Sequence, residues 1–201
     1  GLVVLHYTAM ADCDAALRVL CSPARAVSAH YLLRRDGGVI ALVDEAMRAW
    51  HAGTGSWRGR GDVNSRSIGI ELDNDGTAPF AAPLMDALAG LLPGILARWD
   101  IPPQGVIGHS CMAPGRKIDP GPRFDWARLA RHGLAVMPRG RGTAPVDPAR
   151  FRRHARAFGF PDVADDTLLH AVRLRFRPAA RGALDGRDCA LMEEMAARFG
   201  A

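Results

Sequence analysis

Three side chains at the ends of apolar runs are candidate ligands of one metal ion. His6 ends the run 2–5, and His109 follows the run 106–108. Asp119 comes ten residues later, across two Pro/Gly breaks that turn the chain. A catalytic zinc site uses three protein ligands, which can come from distant parts of a chain, and keeps a fourth position open for water. The pattern predicts such a site at the ends of two buried strands.

The only lysine of the chain lies inside the same segment. The sequence has 25 arginines and one lysine, Lys117, two residues before Asp119. An ammonium is a compact point charge, whereas a guanidinium is a planar fork. Lys117 is therefore predicted to stabilise the oxyanion formed when water adds to a carbonyl, and a general surface charge is the alternative.

A carboxylate at the end of another strand supplies the candidate base. Glu71 lies near the end of 67–72, where residues alternate with a period of two, and it shares a face with Gly69. Glycine has no side chain, so this face is predicted to leave room for a substrate. Metal-activated water attacking an amide needs such a proton acceptor. A solvated glutamate at a strand end is the alternative.

These residues lie in motifs that resemble one known family, the zinc-dependent N-acetylmuramoyl-L-alanine amidases, related to phage amidase-type lysozymes and animal peptidoglycan recognition proteins. The motifs occur in the family's order, over roughly residues 1–135. They are 5–8, 28–37, 49–53, 64–72, 108–109 and 119–121.

The resemblance implies a role for each candidate residue. His6, His109 and Asp119 would be the Zn²⁺ ligands, Glu71 the acid/base carboxylate, and Lys117 the stabiliser of the transition state. The implied substrate is the amide bond between N-acetylmuramic acid, or its 1,6-anhydro form, and L-alanine of peptidoglycan stem peptides. A non-catalytic peptidoglycan-recognition protein is the alternative, and retention of all five residues argues against it. A structural zinc protein is a third class, but structural sites use four protein ligands and three are found.

Two positions depart from the family pattern. Phage-type members have a tyrosine where this chain has Ala29, which implies that Glu71 carries the proton transfer. Cys111 occupies a position where relatives commonly have aspartate. Two residues along a turning chain usually point away from a site that His109 already fills, so Cys111 is expected to pack in the core rather than to bind metal.

Four further residues in these motifs are candidates for the cleft. Trp50 would stack on a sugar and Asn64 would bond a peptide group, with structural roles as the alternative for both. His30 and His51 are left outside the catalytic set, because each suits a loop hydrogen bond as well as a substrate contact.

The predicted fold class is α/β, a mixed central β-sheet flanked by helices and followed by a small three-helix bundle. Strands are expected near 2–6, 30–34, 38–42, 67–72 and 105–108, and helices near 12–20, 82–99 and 124–132. The predicted catalytic domain is 1–138, and the Pro/Gly-rich stretch 139–146 is a linker. Helices over 147–158, 164–176 and 187–199 would make 147–201 a module that resembles peptidoglycan-binding modules of such amidases. A structural appendage covering the catalytic domain is the alternative.

The charge distribution separates the two parts. Residues 1–138 carry 14 basic and 13 acidic groups, and 139–201 carry 12 and 8. A basic tail can bind nucleic acid, but this one has no interleaved aromatics and no nucleic-acid motif. Peptidoglycan or a muropeptide is the expected partner, nucleic acid is not, and a monomer is expected.

The cysteines and the wall-binding tail point to different compartments. Cys13 and Cys21 flank a helix that spans about 12 Å, so four free thiols are expected, which favours the cytoplasm. A module for polymeric wall favours the periplasm or cell envelope, which is our prediction. Because the chain opens directly on a strand, we expect a trimmed N-terminus, and membrane anchoring only through a missing leader.

Overall fold

The computed structural model describes residues 1–200 and has a five-stranded sheet at its centre. The strand order is β3-β2-β4-β1-β5. All neighbours are parallel except β2 and β3, which form an antiparallel pair. The strands are β1 Leu2–Tyr7, β2 Tyr31–Leu33, β3 Val39–Ala41, β4 Ser67–Leu72 and β5 Val106–Gly108. The predicted mixed sheet is confirmed.

Seven α-helices surround the sheet; six lie at or near the predicted positions, and the short helix His109–Met112 was not predicted. Asp12, Asp125, Asp147 and Asp185 cap the first turns of four of them through their side chains. The helices are α1 Cys13–Leu20, α2 Ala82–Arg98, α3 His109–Met112, α4 Trp126–Arg131, α5 Pro148–Phe158, α6 Asp165–Phe176 and α7 Gly186–Phe199.

The two faces of the sheet pack against different parts of the chain. On β1, Val3 and Leu5 face a core that contains the buried side of α2, and we call this the back face. Leu2 and Val4 point to the opposite, front face, where the core is formed largely by α5, α6 and α7. Side chains alternate along a strand, so His6 also lies on the front face.

The helices after residue 147 are part of this front core. One buried cluster joins Leu2, Val4 and Ile107 of the sheet with Phe158 and Met195 of the helices. The sequence shows three amphipathic helices, but their apolar sides bury sheet residues as well as one another. Of the predicted alternatives, the packing agrees with a cover for the catalytic part.

A buried arginine connects the helices that cover the front face, α5, α6 and α7, to the sheet. Arg175 of α6 donates hydrogen bonds to the carbonyl oxygens of Val106 (3.1 Å) and Val136 (3.4 Å). Its guanidinium lies 4.0 Å above the ring centroid of Trp126. Val106 belongs to the edge strand β5, so Arg175 satisfies a carbonyl at an edge that has no further strand.

The structure also bears on the cysteines and on possible membrane-spanning helices. The four cysteines are unpaired within residues 1–200, with Cys13, Cys111 and Cys189 buried and Cys21 exposed. Cys111 packs in the front core, as predicted. No helix among residues 1–200 combines the length and apolarity that a membrane span requires.

Candidate active site

The carboxyl ends of three parallel strands deliver the site residues. In the register of β1 and β4, His6 pairs with Glu71, so the two side chains lie beside each other on the front face. His109 begins α3 directly after β5, the other neighbour of β1. Ligand sites lie outside the carboxyl ends of strands in open α/β sheets, and this sheet follows that rule.

The segment after α3 returns Asp119 to the same point. The backbone N–H of Ser110 donates to the carbonyl of Asp119 at 2.9 Å, which fixes the returning chain beside β5. Gly108 permits this approach, because a Cβ there would lie 2.7 Å from Cδ of Pro120. The Pro/Gly breaks in the sequence therefore do turn the chain as predicted.

His6, His109 and Asp119 converge on one point. The Nδ1 atoms of His6 and His109 are 2.9 Å apart. Oδ2 of Asp119 lies 2.9 Å from Nδ1 of His6 and 3.0 Å from Nδ1 of His109. The three residues are buried and form a group that could hold a metal ion. Tetrahedral zinc with bonds of about 2.0–2.1 Å separates its ligand atoms by about 3.3 Å, so the residues present fit this ion closely.

The protonation states of His6 and Asp119 also suit a cation. Burial first, and then the neighbouring His109, lower the pKa of His6 to about 4, although Asp119 opposes the shift. Burial alone would raise the pKa of Asp119, but hydrogen bonds from His109 and His6 hold it well below its usual range. A neutral imidazole and an ionised carboxylate at pH 7 are the forms that bind metals.

Glu71 has the environment of a proton carrier. Its Oε2 is buried and has no hydrogen-bond partner among residues 1–200. Burial, and next the charge of Asp119, raise the pKa of Glu71 to about 8, while Lys117 acts in the opposite direction. A carboxyl group whose pKa lies near neutrality can both accept and return a proton at physiological pH.

A cleft of about 560 Å³ opens over these groups. Lys117 is exposed at its wall and lines the same cleft as His6 and Glu71. Trp50 is 54% exposed and also lines the cleft, with the guanidinium of Arg48 4.2 Å above its ring. The cleft is also lined by apolar residues of and near α1, which are Met10, Ala16, Val19, Leu20 and Val27.

Asn64 lies outside the lining of this cleft and has a different environment from the one predicted. It is 8% exposed. Its Oδ1 accepts hydrogen bonds from the backbone N–H groups of His51 (3.0 Å) and Ala52 (2.8 Å). Of the two roles considered for Asn64, this geometry supports the structural one.

The space beside Glu71 is filled by His51, which corrects the expectation that Gly69 leaves room for a substrate. A Cβ at Gly69 would lie 2.3–2.6 Å from atoms of the His51 ring. Glycine is thus needed at this position for the close approach of an imidazole.

Sequence reasoning missed the importance of the loop 51–54. Nδ1 of His51 lies 3.0 Å from Nε2 of His6, and the carbonyl oxygen of Ala52 lies 2.8 Å from Nε2 of His109. Arg116 donates to the carbonyls of Ala52 (2.5 Å) and Thr54 (2.6 Å). The available signal was the run 49–53 within an otherwise non-periodic stretch, and periodicity could not show what it contacts.

The chain matches a known protein family over residues 1–122, and the family is described as N-acetylmuramoyl-L-alanine amidase. One relative is the N-acetylmuramoyl-L-alanine amidase AmiD of Escherichia coli (strain K12), 35% identical over 99% of this chain and 83% of AmiD. Another is the 1,6-anhydro-N-acetylmuramyl-L-alanine amidase AmpD of Citrobacter freundii, 44% identical over 51% of this chain and 55% of AmpD.

Solved structures agree with these sequence matches. A complex of E. coli AmiD with the substrate anhydro-N-acetylmuramic acid-L-Ala-D-γ-Glu-L-Lys has a TM-score of 0.91 at 34% identity, covering 99% of this chain and 89% of that one. AmpDh3 from Pseudomonas aeruginosa has a TM-score of 0.88 at 30% identity, covering 98% and 91%. The predicted family and activity class are confirmed. The chain belongs to the N-acetylmuramoyl-L-alanine amidase family.

Proposed function

We propose that this chain is a zinc hydrolase that cleaves the amide bond between N-acetylmuramic acid, or its 1,6-anhydro form, and L-alanine of peptidoglycan stem peptides. The observation that carries the proposal is the convergence of His6, His109 and Asp119 within 3.0 Å of one another, with Glu71 beside His6 on the adjacent strand. Two imidazoles and a carboxylate leave a fourth position for water, as in catalytic zinc sites.

The residues of the cleft divide the work of hydrolysis. Zinc, when bound, supplies a nucleophile at neutral pH by lowering the pKa of coordinated water to about 7. Glu71 accepts a proton from the attacking water at its buried carboxylate and returns it to the leaving amine. Lys117 places a positive charge where the carbonyl oxygen becomes negative, and such a preorganised charge contributes about 2.7–4 kcal/mol.

The surroundings of the site support a muropeptide as the substrate. The cleft has a charged floor, an exposed indole at Trp50, and an apolar wall along α1. Sugar rings stack on indoles, and Trp50 is held for this by Arg48. AmiD is 34% identical over nearly the whole chain, and its structure contains an anhydromuramyl tripeptide.

A peptidoglycan-binding protein without catalysis is the second candidate. It would need the cleft but not the metal site or the proton carrier. This chain keeps His6, His109, Asp119, Glu71 and Lys117 together, which favours the hydrolase.

Metal removal tests the proposal directly. Purified protein should contain close to one zinc per chain, lose release of stem peptide from a soluble muropeptide after dialysis against a chelator, and recover it when Zn²⁺ is added back. Liberated peptide is measured by chromatography and zinc by elemental analysis. Full activity in the chelated, metal-free protein would contradict the proposal, and so would zinc-loaded protein that leaves the muropeptide intact.

We further propose that residues 147–201 help to hold polymeric cell wall, which would place the chain in the periplasm or cell envelope. The support is the resemblance of this segment to peptidoglycan-binding modules and its excess of basic residues. Arg153 and Arg187 are exposed on α5 and α7. Replacing both by glutamate should lower co-sedimentation with insoluble wall and leave cleavage of a soluble muropeptide unchanged. Unaltered co-sedimentation would favour the structural role alone.

A further inference from the structure

We propose that the segment His51–Ala52 is a positioning element that fixes the tautomers of both metal-binding histidines. The proposal rests on the zinc site put forward above and extends it to the groups behind the ligands. A histidine binds a metal through the nitrogen that carries no proton, and the partner of its other nitrogen decides which one that is.

The orientation at His6 follows from a chain of three hydrogen bonds. The hydroxyl of Ser67 donates to the carbonyl of Val63 at 2.6 Å. Its oxygen is then free to accept from Nε2–H of His51, 3.3 Å away. His51 consequently turns an unprotonated Nδ1 toward Nε2 of His6, at 3.0 Å.

Although Asp119 competes for the proton at Nδ1, 2.9 Å away, His51 favours the form of His6 that carries its proton on Nε2 and donates it to His51. This leaves the lone pair of its Nδ1 directed at His109 and Asp119, where the metal would lie. The opposite polarity, with the Ser67 hydroxyl donating to His51, would put a proton on Nδ1 of His6 and block the ligand atom. The carbonyl of Val63 selects against that arrangement.

The second histidine is fixed by the next residue of the loop. Nε2 of His109 lies 2.8 Å from the carbonyl oxygen of Ala52. Nη2 of Arg116 also lies 3.3 Å from this nitrogen, but the carbonyl is closer and only accepts, so it favours the form of His109 that is protonated at Nε2 and binds metal through Nδ1. Arg116 donates to the same carbonyl at 2.5 Å, which uses its second lone pair and ties it in place.

The side chain of Asn64 holds the backbone of both His51 and Ala52. The Oδ1 atom of Asn64 accepts from the backbone N–H of His51 at 3.0 Å and of Ala52 at 2.8 Å. The His51 ring is pressed onto Gly69, which has no Cβ to displace it. Asn64 therefore acts on the metal site through the loop, although it contacts neither histidine ligand.

The experiment combines zinc affinity with a direct reading of the tautomers. His51→Phe keeps a buried ring and removes both nitrogens, and it should weaken zinc binding about 10–100-fold. Asn64→Leu should weaken it in the same direction, whereas Asn64→Asp, which keeps an acceptor at Oδ1, should stay close to the wild type. Nitrogen-15 NMR of the zinc-loaded wild type should show His6 and His109 protonated at Nε2, and without metal the proton of His6 should lie more on Nδ1 in His51→Phe than in the wild type.

His154→Phe is the control, because it makes the same change in an imidazole on α5 that does not line the cleft. It should bind zinc like the wild type. Folded His51→Phe with wild-type zinc affinity, or a zinc-loaded wild-type spectrum with the proton of His6 on Nδ1, would overturn the proposal. If His51→Phe does not fold, the Asn64 pair and the zinc-loaded wild-type spectrum decide. A wild-type protein that binds zinc but leaves the muropeptide intact would count against the proposed function alone, because zinc affinity and the spectrum still test this inference.

Discussion

The two faces of the sheet differ in the kinds of residue that follow one another along strand β1. On the back face, Val3 and Leu5 continue one apolar core under α2. On the front face, Leu2 and Val4 are followed by His6, and the hydrophobic core gives way to the metal site within two residues. The back face needs only apolar residues of about the right volume, whereas the front face also needs groups that are held in place by particular partners.

The cover of the front face also distinguishes groups of relatives. AmiD and AmpDh3 align with 99% and 98% of this chain, including α5, α6 and α7. An AmpD crystal structure covers 67% of it with a TM-score of 0.55. The residues proposed for metal binding and catalysis all precede residue 120, so these three helices add a cover to a candidate site that the first part of the chain supplies.

Truncation after residue 144 is the strongest test of this difference between the faces. Loss of the helices would expose Leu2, Val4 and Ile107, and it would leave α3 without α6, on which it packs. We expect the shortened chain to lose cooperative thermal unfolding and cleavage of soluble muropeptide together. A truncated protein that melts cooperatively and cuts the soluble substrate at the full-length rate would show instead that residues 147–201 are a separate module.

The second prediction concerns Glu71, which lies on the front face near the carboxyl end of β4. Glu71→Gln keeps the shape of the side chain and removes its proton-accepting ability, so kcat should fall about 10²–10⁴-fold. Zinc content, measured on the purified variant, should match the wild type because Glu71 is not among the three converging ligands. Loss of zinc from the variant would assign Glu71 a structural or ligand role.

The third prediction separates charge from shape at Lys117. Lys117→Ala should lower kcat about 10²–10³-fold, since one oxyanion-stabilising group contributes about 2.7–4 kcal/mol. Lys117→Arg should fall between this variant and the wild type, because its planar head replaces a compact ammonium. Both should retain zinc. Equal rates for wild type and Lys117→Ala on a soluble muropeptide would remove Lys117 from the mechanism.

The sequence predicts the strands, the helices and the converging residues because each leaves a local signal. The apolar runs end at His6 and His109, and the Pro/Gly breaks around Asp119 show where the chain turns. The roles of His51, Asn64 and Gly69 could not be predicted, because they depend on contacts between a non-periodic loop and strand β4. The shared core of Val4 and Phe158 was missed for a related reason: an amphipathic helix shows that it has a buried side, not what that side buries.

The smallest predicted effect lies at the rim of the back face, where Glu45 fastens the end of α2. Arg98 donates to Glu45 at 2.6 and 3.1 Å, and Tyr31 and Trp99 each donate at 2.5 Å. The bonds from Arg98, and then those from Tyr31 and Trp99, outweigh burial and lower the pKa of Glu45 from 4.5 to about 2. On the front face, Arg175 of α6 donates instead to carbonyl oxygens, which do not titrate.

A lowered carboxyl pKa stabilises the folded chain only while the group is ionised. The contribution of Glu45 should be complete above pH 4.5 and should disappear as the pH falls toward 2. Arg98 is half exposed, and solvent screening limits the contribution to about 1 kcal/mol. Glu45→Gln should therefore unfold at lower denaturant concentration than the wild type at pH 7, with a difference that narrows steadily in acid. A difference that stays constant from pH 7 to pH 3, or that grows in acid, would show that Glu45 holds α2 by shape and packing rather than by charge.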